Sequence, residues 1–523
     1  MNTSDFLTIA GAIVPERPAI IFDGRTITFE GLAERVNRLA NGLSGLGVGP
    51  GDRVAIMQVN TNQSIEAYFA AAQLDAIFVP INFRAKTEEL AQMLNIAQAS
   101  CLLIGERYLP LVTDGAAGGI PSDRVIVLDG VPGGGHPGYD ALLADASPDQ
   151  MHFPEAGDDD TTVIMFTAGT TGVPKGVMLT HDSFSSYLLA TVDPADPDVE
   201  ETNLITVPFY HIAGLQAALA AVYGGRTLVV MRQFEPAEWL RLVQEYRANR
   251  AMLVPTMLKH LMEHPHFSDY DLSSLNVITY GAATMPLEVI REAIGKFPGA
   301  RFINAFGQTE TASTITMLPP DDHVLDGSPE EIETKLKRLT SIGKPLDDVE
   351  VEIVDESGQS VSVGDTGEIV ARGSRMMAGY WQEESATQQT LRGGWIYTGD
   401  LGYQDQDGYI YLSGRAKDFI KRGGEMISPE EVEQVLRSHP ELDDAAVIGV
   451  LDAEWGEEVR AIVVGRAGRV NEEQIIEYCR DRLAGYKRPR SVVFVNELPR
   501  NVMGKVLKRD LREEYGYPVE SRD

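Results

Sequence analysis

The sequence predicts an α/β protein with a large N-terminal part and a small α+β C-terminal part. Strand-like apolar runs alternate with helix-like segments over the first 340 residues, which is typical of parallel sheets covered by helices. After residue 340 the pattern changes to short alternating strands separated by turn residues, as in antiparallel sheets. The length of 523 residues leaves room for roughly three to four domain-sized units.

The strand–helix alternation is clearest between residues 53 and 96. A strand-like run at 53–57 precedes a helix-like segment at 66–74, and a second run at 76–80 precedes a helix-like segment at 87–96. The same order recurs later, with a strand-like run at 227–231, a helix-like segment at 238–246 and a strand-like run at 251–254. Such βαβ units place the strands side by side in a parallel sheet.

The last third of the chain predicts two smaller units. Alternating strands are expected at 349–354, 367–371 and 409–412. From residue 418 onward we expect a compact α+β unit with a helix at 429–438 and strands at 446–450 and 461–464. The joint between the two units is predicted at 414–418.

The net charge of −32 argues against one class of function. An acidic surface repels nucleic acid and anionic lipid, so neither is expected as a partner. One stretch is basic, because residues 480–512 hold ten Lys and Arg side chains against three Asp and Glu. That stretch is either an ordinary solvated face or a site that attracts polyphosphate. The second interpretation is considered because the stretch surrounds a Gly-Lys turn.

Cysteine content and the N-terminus predict where the chain resides. Cys101 and Cys479 are too few for a disulfide framework or a cysteine-rich metal site. The N-terminal apolar stretch has no basic residue before it, which favours a first helix capped near Ser4 over a secretory signal. No uninterrupted apolar run reaches the roughly 18 residues of a membrane span. We expect a reduced, cytoplasmic protein without integral membrane contact.

A loop rich in glycine and threonine follows a strand predicted at 162–166. It reads Thr167-Ala168-Gly169-Thr170-Thr171-Gly172-Val173-Pro174-Lys175. Small residues let backbone N–H groups approach phosphate oxygens, the hydroxyls add donors, and Lys175 adds a positive charge. The spacing is not that of a Walker A loop. The loop predicts a phosphate-binding site of another kind.

Six further segments follow in order, and together with the loop they resemble the adenylate-forming superfamily of acyl-CoA synthetases, aryl-CoA ligases, luciferases and peptide-synthetase adenylation domains. They read PFYH at 208–211, NAFGQTE at 304–310, YTGD at 397–400, GRAKD at 414–418, GGE at 423–425 and PRNVMGK at 499–505. One departure is Ala168, where the superfamily usually has Ser. The resemblance covers nearly the whole chain and implies an N-terminal domain at 1–414, with αβαβα layers and a small β-barrel-like subdomain. It also implies a hinge at 415–418 and a mobile C-terminal domain at 419–523.

The chemistry of such an enzyme is a problem of charge. A carboxylic acid is ionised at pH 7 and needs no general base, but it must attack the α-phosphate of a polyanion. Catalysis therefore requires charge neutralisation and in-line positioning. The resemblance implies that Lys505 bridges the acid carboxylate and the α-phosphate, that Thr309 contacts that phosphate, and that Glu310 binds Mg²⁺.

The resemblance assigns the other site residues as well. Asp400 would bind the ribose hydroxyls, Arg415 would bind ribose or phosphate, and the loop from Thr167 to Lys175 would hold the phosphates. Asn304 and Ala305, with Gly281, Ala282 and Ala283, match segments that line the adenine and acyl sites. His211 would lie beside the acyl carboxylate and the pantetheine tunnel. The segment 208–211 lacks the Asp that peptide-synthetase domains use for an amino group, which argues against amino-acid substrates.

The second half-reaction needs another arrangement of the C-terminal domain. Lys417 matches the superfamily's hinge position, and Gly423 and Gly424 match the wall of the pantetheine tunnel, where side chains would block passage. Lys421, with Arg422, either helps to bind CoA phosphates or is an ordinary exposed charge.

The predicted activity is an ATP-dependent acyl-CoA synthetase that makes acyl-CoA, AMP and pyrophosphate through an acyl adenylate. A medium-chain fatty acid or an aryl acid is expected, because the segments near the acyl site show no charged recognition group. Two alternatives stay open: an adenylation enzyme that loads a separate carrier protein, and a non-catalytic nucleotide sensor. The expected ligands are the acid, ATP, Mg²⁺ and coenzyme A. A homodimer is compatible with the sequence, and the oligomeric state stays open.

Overall fold

The architecture is taken from a computed structural model that describes most of the chain. The described residues are 1–112, 119–130, 135–167, 174–415, 418–422, 425–452, 455–465, 470–480, 482–501 and 504–516. They form three sheets in the N-terminal part and one sheet in the C-terminal part.

The first sheet has nine strands, and its centre is parallel. Its order is β15 (Lys344–Pro345), β14 (Ser313–Leu318), β13 (Arg301–Gln308), β12 (Val277–Gly281), β11 (Arg250–Leu253), β9 (Thr202–Ile205), β10 (Thr227–Val230), β1 (Pro18–Phe22) and β2 (Arg25–Thr28). Strands β13, β12, β11, β9, β10 and β1 run parallel to their neighbours in that series, whereas β14, β15 and β2 join antiparallel.

The second sheet has seven strands in the order β18 (Gly379–Tyr380), β8 (Lys175–Thr180), β7 (Thr161–Thr167), β4 (Ile77–Ile81), β3 (Arg53–Met57), β5 (Cys101–Ile104) and β6 (Val125–Val127). Strands β7, β4, β3, β5 and β6 are parallel, and β8 pairs antiparallel with both β7 and β18. The two-residue strand β18 therefore brings a distant part of the chain to the edge of this sheet.

Helices fill the space between the two sheets and cover their outer faces. The inner cluster joins Ile20 and Leu228 of the first sheet to Val54 and Phe78 of the second. It is filled by α1 (Asp5–Ile13), α2 (Phe29–Gly45), α3 (Asn62–Gln73), α7 (His181–Thr191) and α8 (Ile212–Tyr223). The outer face of the first sheet is covered by α9 (Pro236–Tyr246), α10 (Pro255–Met262) and α11 (Leu287–Lys296), and that of the second by α4 (Thr87–Ala97). The predicted αβαβα layering is confirmed.

The described N-terminal part contains four further helices, and its third sheet is antiparallel. These helices are α5 (Leu109–Leu111), α6 (Tyr139–Asp145), α12 (Pro329–Arg338) and α13 (Glu384–Thr390). The third sheet contains β16 (Glu350–Val354), β17 (Gly367–Arg372), β20 (Trp395–Gln404) and β19 (Leu391–Arg392), with β21 (Ile410–Arg415) paired to β20. It corresponds to the small β subdomain expected after residue 340.

The C-terminal part is one sheet with helices on both faces. Its strands are β22 (Ile420–Arg422), β23 (Glu425–Ile427), β24 (Leu442–Asp452), β25 (Gly456–Gly465) and β26 (Ser491–Val495). Helices α14 (Pro429–Arg437) and α15 (Glu472–Arg480) pack on one face, and α16 (Lys508–Tyr515) packs on the other. This is the predicted α+β unit.

One local expectation needs revision, and a second one stays open. Ser4 stands at the N-cap position of α1, but its side chain does not cap the helix, and its own N–H donates to Asn2 Oδ1 at 3.0 Å. In the described part of the basic stretch at 480–512, several basic side chains form ion pairs with carboxylates, so the positive charge is partly neutralised: Arg480, Lys487, Arg500, Lys508, Arg509 and Arg512. Within the described ranges, no helix is long and apolar enough to cross a membrane.

Candidate active site

The end of β13 directs Thr309 and Glu310 out of the first sheet. A short 3-10 turn, Thr309–Thr311, follows Gln308, and the backbone N–H of Gln308 donates to Thr311 Oγ1 at 3.0 Å. Ala312 and Ser313 then reverse the chain with φ values of 45° and 89°. Because the turn is fixed on both sides, Glu310 is held at the carboxyl edge of a parallel strand, where ligands bind in open α/β sheets.

Glu310 contacts the segment that ends in β18. The hydroxyl of Tyr380 donates to Glu310 Oε1 at 2.9 Å, and the backbone N–H of Met377 donates to the Glu310 carbonyl at 2.9 Å. The Nζ atom of Lys175 lies 4.9 Å from the centroid of the Tyr380 ring. The structure therefore brings Glu310 and Lys175 to one tyrosine.

The glycine–threonine loop joins β7 to β8. Thr167, the last residue of β7, is the register partner of Lys175, the first residue of β8, so the two ends of the loop are held side by side. The predicted phosphate-binding residues Ala168, Gly169, Thr170, Thr171 and Gly172 lie outside the described residues.

A buried carboxylate lies where β20 and β21 pair. Asp400 Oδ1 forms an ion pair with Arg415 Nε at 2.6 Å, and the side chain of Asp400 is almost fully buried. Burial raises the pKa of Asp400, the positive charges of Arg415 and Lys505 oppose this rise, and the negative charge of Glu310 adds to it. Arg415, Lys505 and Glu310 are thus all close enough to act on the carboxylate of Asp400.

Lys505 reaches this site from the C-terminal part. A tight turn holds it, in which the N–H of Gly504 donates to the carbonyl of Asn501 at 2.9 Å and the N–H of Lys505 donates to Asn501 Oδ1 at 2.9 Å. A Cβ atom at Gly504 would lie 2.3 Å from Oγ1 of Thr256, which is in the first turn of α10. The turn that carries Lys505 therefore rests directly on the N-terminal part.

His211 occupies the N-cap position of α8 without capping it by its side chain. The centroid of its ring lies 4.5 Å from that of the Tyr210 ring, and its Nε2 is buried without a hydrogen-bond partner among the described residues. Burial lowers the pKa of His211 to about 4, so the imidazole is neutral at pH 7. A neutral ring with an unpaired nitrogen is suited to contact a ligand.

The small residues predicted for the adenine and acyl sites lie at neighbouring strand ends. Gly281 of β12 pairs with Ala305 of β13, and a Cβ atom at Gly281 would lie 2.1 Å from the Ala305 carbonyl oxygen. Ala282 has a positive φ of 64° and is exposed, and Ala283 follows it, half-buried. The Asn304 amide donates to the Ser341 carbonyl at 3.2 Å. These residues share the sheet edge from which Glu310 projects.

The predicted CoA and hinge residues are described only in part. Lys421 is exposed on β22 and its backbone N–H donates to Glu457 Oε2 at 2.6 Å. Arg422 is buried, donates to the Tyr486 carbonyl at 3.0 Å and lies over the Trp455 ring, so it is not an exposed charge. Lys417, Gly423 and Gly424 lie outside the described residues.

The donor set at Glu310 fits a hard cation that is held mainly by phosphates. No group of three or more His, Cys, Asp or Glu side chains in the described ranges is arranged to hold a metal ion. Tyr380 occupies Oε1 of Glu310, and Oε2 has no hydrogen-bond partner in the described part of the chain. Mg²⁺ commonly takes one or two protein carboxylates together with substrate phosphates and water. Glu310 can provide such a carboxylate.

Two contacting residues, Tyr380 and Thr256, are absent from the sequence-based site. The chain contains 18 tyrosines, and the sequence around residue 380 does not distinguish this one from the others. Only the pairing of β18 with β8 in the structure shows where it lies. Thr256 reads as an ordinary first-turn residue after a proline. Both are recognised only when segments far apart in the sequence are placed together.

The positive charge of Lys505, from the C-terminal part, acts on the buried carboxylate of Asp400 in the N-terminal part, on which Glu310 also acts. The class of enzyme follows from comparison with known protein families. Residues 9–381 match the AMP-binding enzyme family and residues 431–505 match the AMP-binding enzyme C-terminal domain. The chain belongs to the AMP-binding enzyme family and is an AMP-forming acid–thiol ligase.

Similar proteins extend over nearly the whole chain. A feruloyl-CoA synthase of Amycolatopsis is 35% identical over 504 residues, covering 96% of each protein. A fatty acid–acyl-carrier-protein ligase of Streptomyces coeruleorubidus is 32% identical over 507 residues, covering 96% of this chain and 94% of that protein. The solved structure of o-succinylbenzoate CoA synthetase from Bacillus subtilis, in complex with its acyl-adenylate intermediate, has a TM-score of 0.83 and 30% identity over 97% of both chains.

Proposed function

We propose that this ligase joins an aryl or medium-chain fatty acid to coenzyme A. In the first half-reaction the acid carboxylate attacks the α-phosphate of ATP, the bond to the β-phosphate breaks, and pyrophosphate leaves. In the second, the CoA thiol gives up its proton, sulfur attacks the acyl carbonyl, and AMP leaves. The observation that carries the proposal is the approach of Lys505 to the buried pair of Asp400 and Arg415.

The first half-reaction needs a cation between two anions. Lys505 acts on Asp400 electrostatically and is carried by a turn seated on Thr256. In our proposal its ammonium group neutralises the carboxylate and the α-phosphate together, which a preorganised charge does without reorganisation during the reaction. Asp400 binds the ribose hydroxyls, and Arg415 orients Asp400 through their 2.6 Å contact and binds ribose or phosphate.

Glu310, Thr309 and Lys175 complete the proposed phosphate site. Bound Mg²⁺ would supply charge neutralisation for the ATP phosphates. Glu310 would hold it through the carboxylate oxygen that Tyr380 leaves available. Thr309 would donate to the α-phosphate, and the loop from Thr167 to Lys175 would bind the outer phosphates. Asn304 and Ala305 would border the adenine.

An acid with an apolar body fits the proposed acyl site best. Helix α8 contains no charged side chain, and its N-cap residue His211 is neutral. Gly281, Ala282 and Ala283 expose small side chains or none at the adjoining strand end. These described elements therefore offer no charged side chain that could bind a second polar group on the acid, which is why we propose an acid with an apolar body. The similarity to a feruloyl-CoA synthase supports the aryl class.

The proposed domain roles follow the two halves of the reaction. Residues 1–414 would bind ATP and acid, 415–418 would be the hinge through Lys417, and 419–523 would supply Lys505 first and the CoA face later. Gly423, Gly424 and Lys421 belong to that CoA face. We also propose a cytoplasmic enzyme, where CoA and ATP are available, and a homodimer as the assembly to be tested.

A second acceptor has a specific observation in its favour. The similarity to a fatty acid–acyl-carrier-protein ligase supports a phosphopantetheine arm on a separate protein as the alternative thiol. Both acceptors present the same thiol, so the adenylation site does not distinguish them.

The test measures the two half-reactions with a panel of acids from acetate to palmitate, including aromatic acids. ATP–pyrophosphate exchange without a thiol identifies the acid, and AMP release with CoA or with a phosphopantetheinylated carrier protein identifies the acceptor. We expect exchange with an aryl or medium-chain acid and AMP release that depends on CoA. Release only with the carrier would favour the second acceptor. ATP binding without exchange for any acid would contradict the enzyme and favour a nucleotide sensor.

A further inference from the structure

We propose that Tyr380 is a positioning residue that holds Glu310 and Lys175 apart and in place for the nucleotide phosphates. The inference rests on the proposed function, because it concerns the same phosphate site. It adds a residue to which no role was assigned from the sequence, and it gives that residue two separable contacts.

The first contact is a hydrogen bond to an anion. The Tyr380 hydroxyl donates to Glu310 Oε1 at 2.9 Å, and the tyrosine side chain is largely buried. A hydrogen bond to one carboxylate oxygen fixes the rotation of the carboxylate, so that Oε2 keeps one direction. A metal ligand held in this way loses less conformational freedom when a cation binds.

The second contact is between the tyrosine ring and a cation. Lys175 Nζ lies 4.9 Å from the centroid of the Tyr380 ring, within the range of a cation–π interaction. Although Glu310 and Lys175 carry opposite charges and contact the same side chain, no ion pair within 4 Å joins them in the described part of the chain. In our proposal the ring keeps Glu310 and Lys175 from forming a direct pair that would compete with phosphate and metal.

The backbone around Tyr380 is fixed to both motifs. Tyr380 pairs with Val177 in β8, and the N–H of Trp381 donates to the Gly176 carbonyl at 2.7 Å, directly beside Lys175. On the other side, the N–H of Met377 donates to the Glu310 carbonyl at 2.9 Å. The segment that carries the tyrosine thus joins the strand of Lys175 to the turn of Glu310.

The segment has further anchors at both ends. Arg375 is fully buried, forms an ion pair with Asp348 and donates to the Thr314 carbonyl at 2.5 Å. The N–H of Tyr380 donates to Thr387 Oγ1 at 2.9 Å. These contacts hold the segment that carries the ring through groups other than the side chains of Glu310 and Lys175.

The two contacts are separated by two variants. Tyr380→Phe keeps the ring beside Lys175 and removes the hydroxyl bond to Glu310, whereas Tyr380→Leu removes both. Equilibrium binding of ATP is measured by calorimetry without acid, so that no turnover occurs, first without Mg²⁺ and then over a Mg²⁺ titration. The KM for ATP and kcat are measured separately in the full reaction.

We expect Tyr380→Phe to raise the Mg²⁺ concentration at half-saturation by about 3- to 10-fold, as for the loss of one hydrogen bond, with Mg²⁺-free ATP binding unchanged. We expect Tyr380→Leu to weaken Mg²⁺-free ATP binding as well, by about 2- to 5-fold, because the cation–π contact is lost and Lys175 can pair with Glu310. In steady state the effect falls on the KM for ATP more than on kcat.

The matched control is Tyr409→Phe, which removes a 2.7 Å hydrogen bond from a buried tyrosine to another carboxylate, Asp322. It should leave the Mg²⁺ titration unchanged. Equal shifts in Tyr380→Phe and Tyr409→Phe, or a Tyr380→Phe titration that superimposes on the wild type, would overturn the proposal. If Tyr380→Leu does not fold, Tyr380→Phe still decides. Pyrophosphate exchange by the wild type tests the proposed function separately. The binding experiments do not depend on it, so a failure of the proposed function can be told from a failure of the role of Tyr380.

Discussion

At Gly504 the turn that carries Lys505 lies against Thr256 of the N-terminal part, and Gly504→Ala tests that contact. Its φ of 74° lies in the left-handed region, and an added Cβ would lie 2.3 Å from Thr256 Oγ1 and 2.9 Å from Thr256 Cγ2. A left-handed L-residue costs about 1–2 kcal/mol, and an extra carbon in a packed contact costs about 1–3 kcal/mol. The Thr256 side chain can rotate, so a total of about 3 kcal/mol is reasonable, which corresponds to about 100-fold in the population of the contact.

The assay separates the half-reactions. In the proposed mechanism ATP–pyrophosphate exchange needs Lys505 at the nucleotide, whereas thioester formation from a supplied acyl adenylate does not. We expect Gly504→Ala to slow exchange by about 100-fold and to affect thioester formation much less. Adding Thr256→Ala removes the two nearest atoms and leaves the Thr256 Cβ position at 3.2 Å, so about tenfold of the exchange rate should return.

The matched control is Gly485→Ala, in the same part of the chain. A Cβ atom there meets nothing within 4 Å, and the residue lacks a positive φ. Its exchange rate should stay within about twofold of the wild type, as expected for a surface change. Exchange by Gly504→Ala as fast as by the wild type, or a double variant no faster than Gly504→Ala alone, would show that the contact with Thr256 does not limit exchange.

Two further predictions concern the nucleotide site and pH. Asp400→Asn should raise the KM for ATP at least about tenfold with little change in the KM for the acid, because it removes a charged acceptor and leaves Arg415 without its partner; an unchanged KM for ATP would count against a ribose role. Burial lowers the pKa of His181, His211 and His323 to about 4, below their ordinary value of 6.5. Between these values the unfolded chain binds more protons than the folded one, so stability falls as pH is lowered through this window. Thermal unfolding followed by circular dichroism should give a lower Tm near the acidic end of the window than at neutral pH, and a flat profile would be inconsistent with neutral buried histidines.

The layered fold could be predicted because its signals are local. The strand expected at 53–57 is β3, Arg53–Met57, and the helix expected at 87–96 is α4, Thr87–Ala97. Apolar periodicity is visible along the sequence wherever one face of an element is buried. The cap at Ser4 failed because the residue adopts helical backbone angles, which periodicity does not reveal.

The sequence motifs predicted the individual residues of the candidate site, but not the contacts between them. The Asp400–Arg415 pair follows from the register of β20 and β21, and that register is not fixed by either motif alone. The neutralisation of the basic stretch depends on carboxylates such as Glu430 and Glu433, which come from another helix. Tyr380 was missed for the same reason, because its partners Glu310 and Lys175 become neighbours only through β18.

Removal of the ammonium group of Lys505 tests whether this cation joins the acid carboxylate and the α-phosphate. Lys505→Ala should slow ATP–pyrophosphate exchange on the order of 100-fold or more, the range for losing one group that stabilises transition-state charge. Thioester formation from a supplied acyl adenylate should be nearly unchanged, and Lys421→Ala, which removes an exposed lysine of the same part, should exchange normally. An exchange rate in Lys505→Ala equal to that of the wild type would contradict the central claim that this cation joins the two anions.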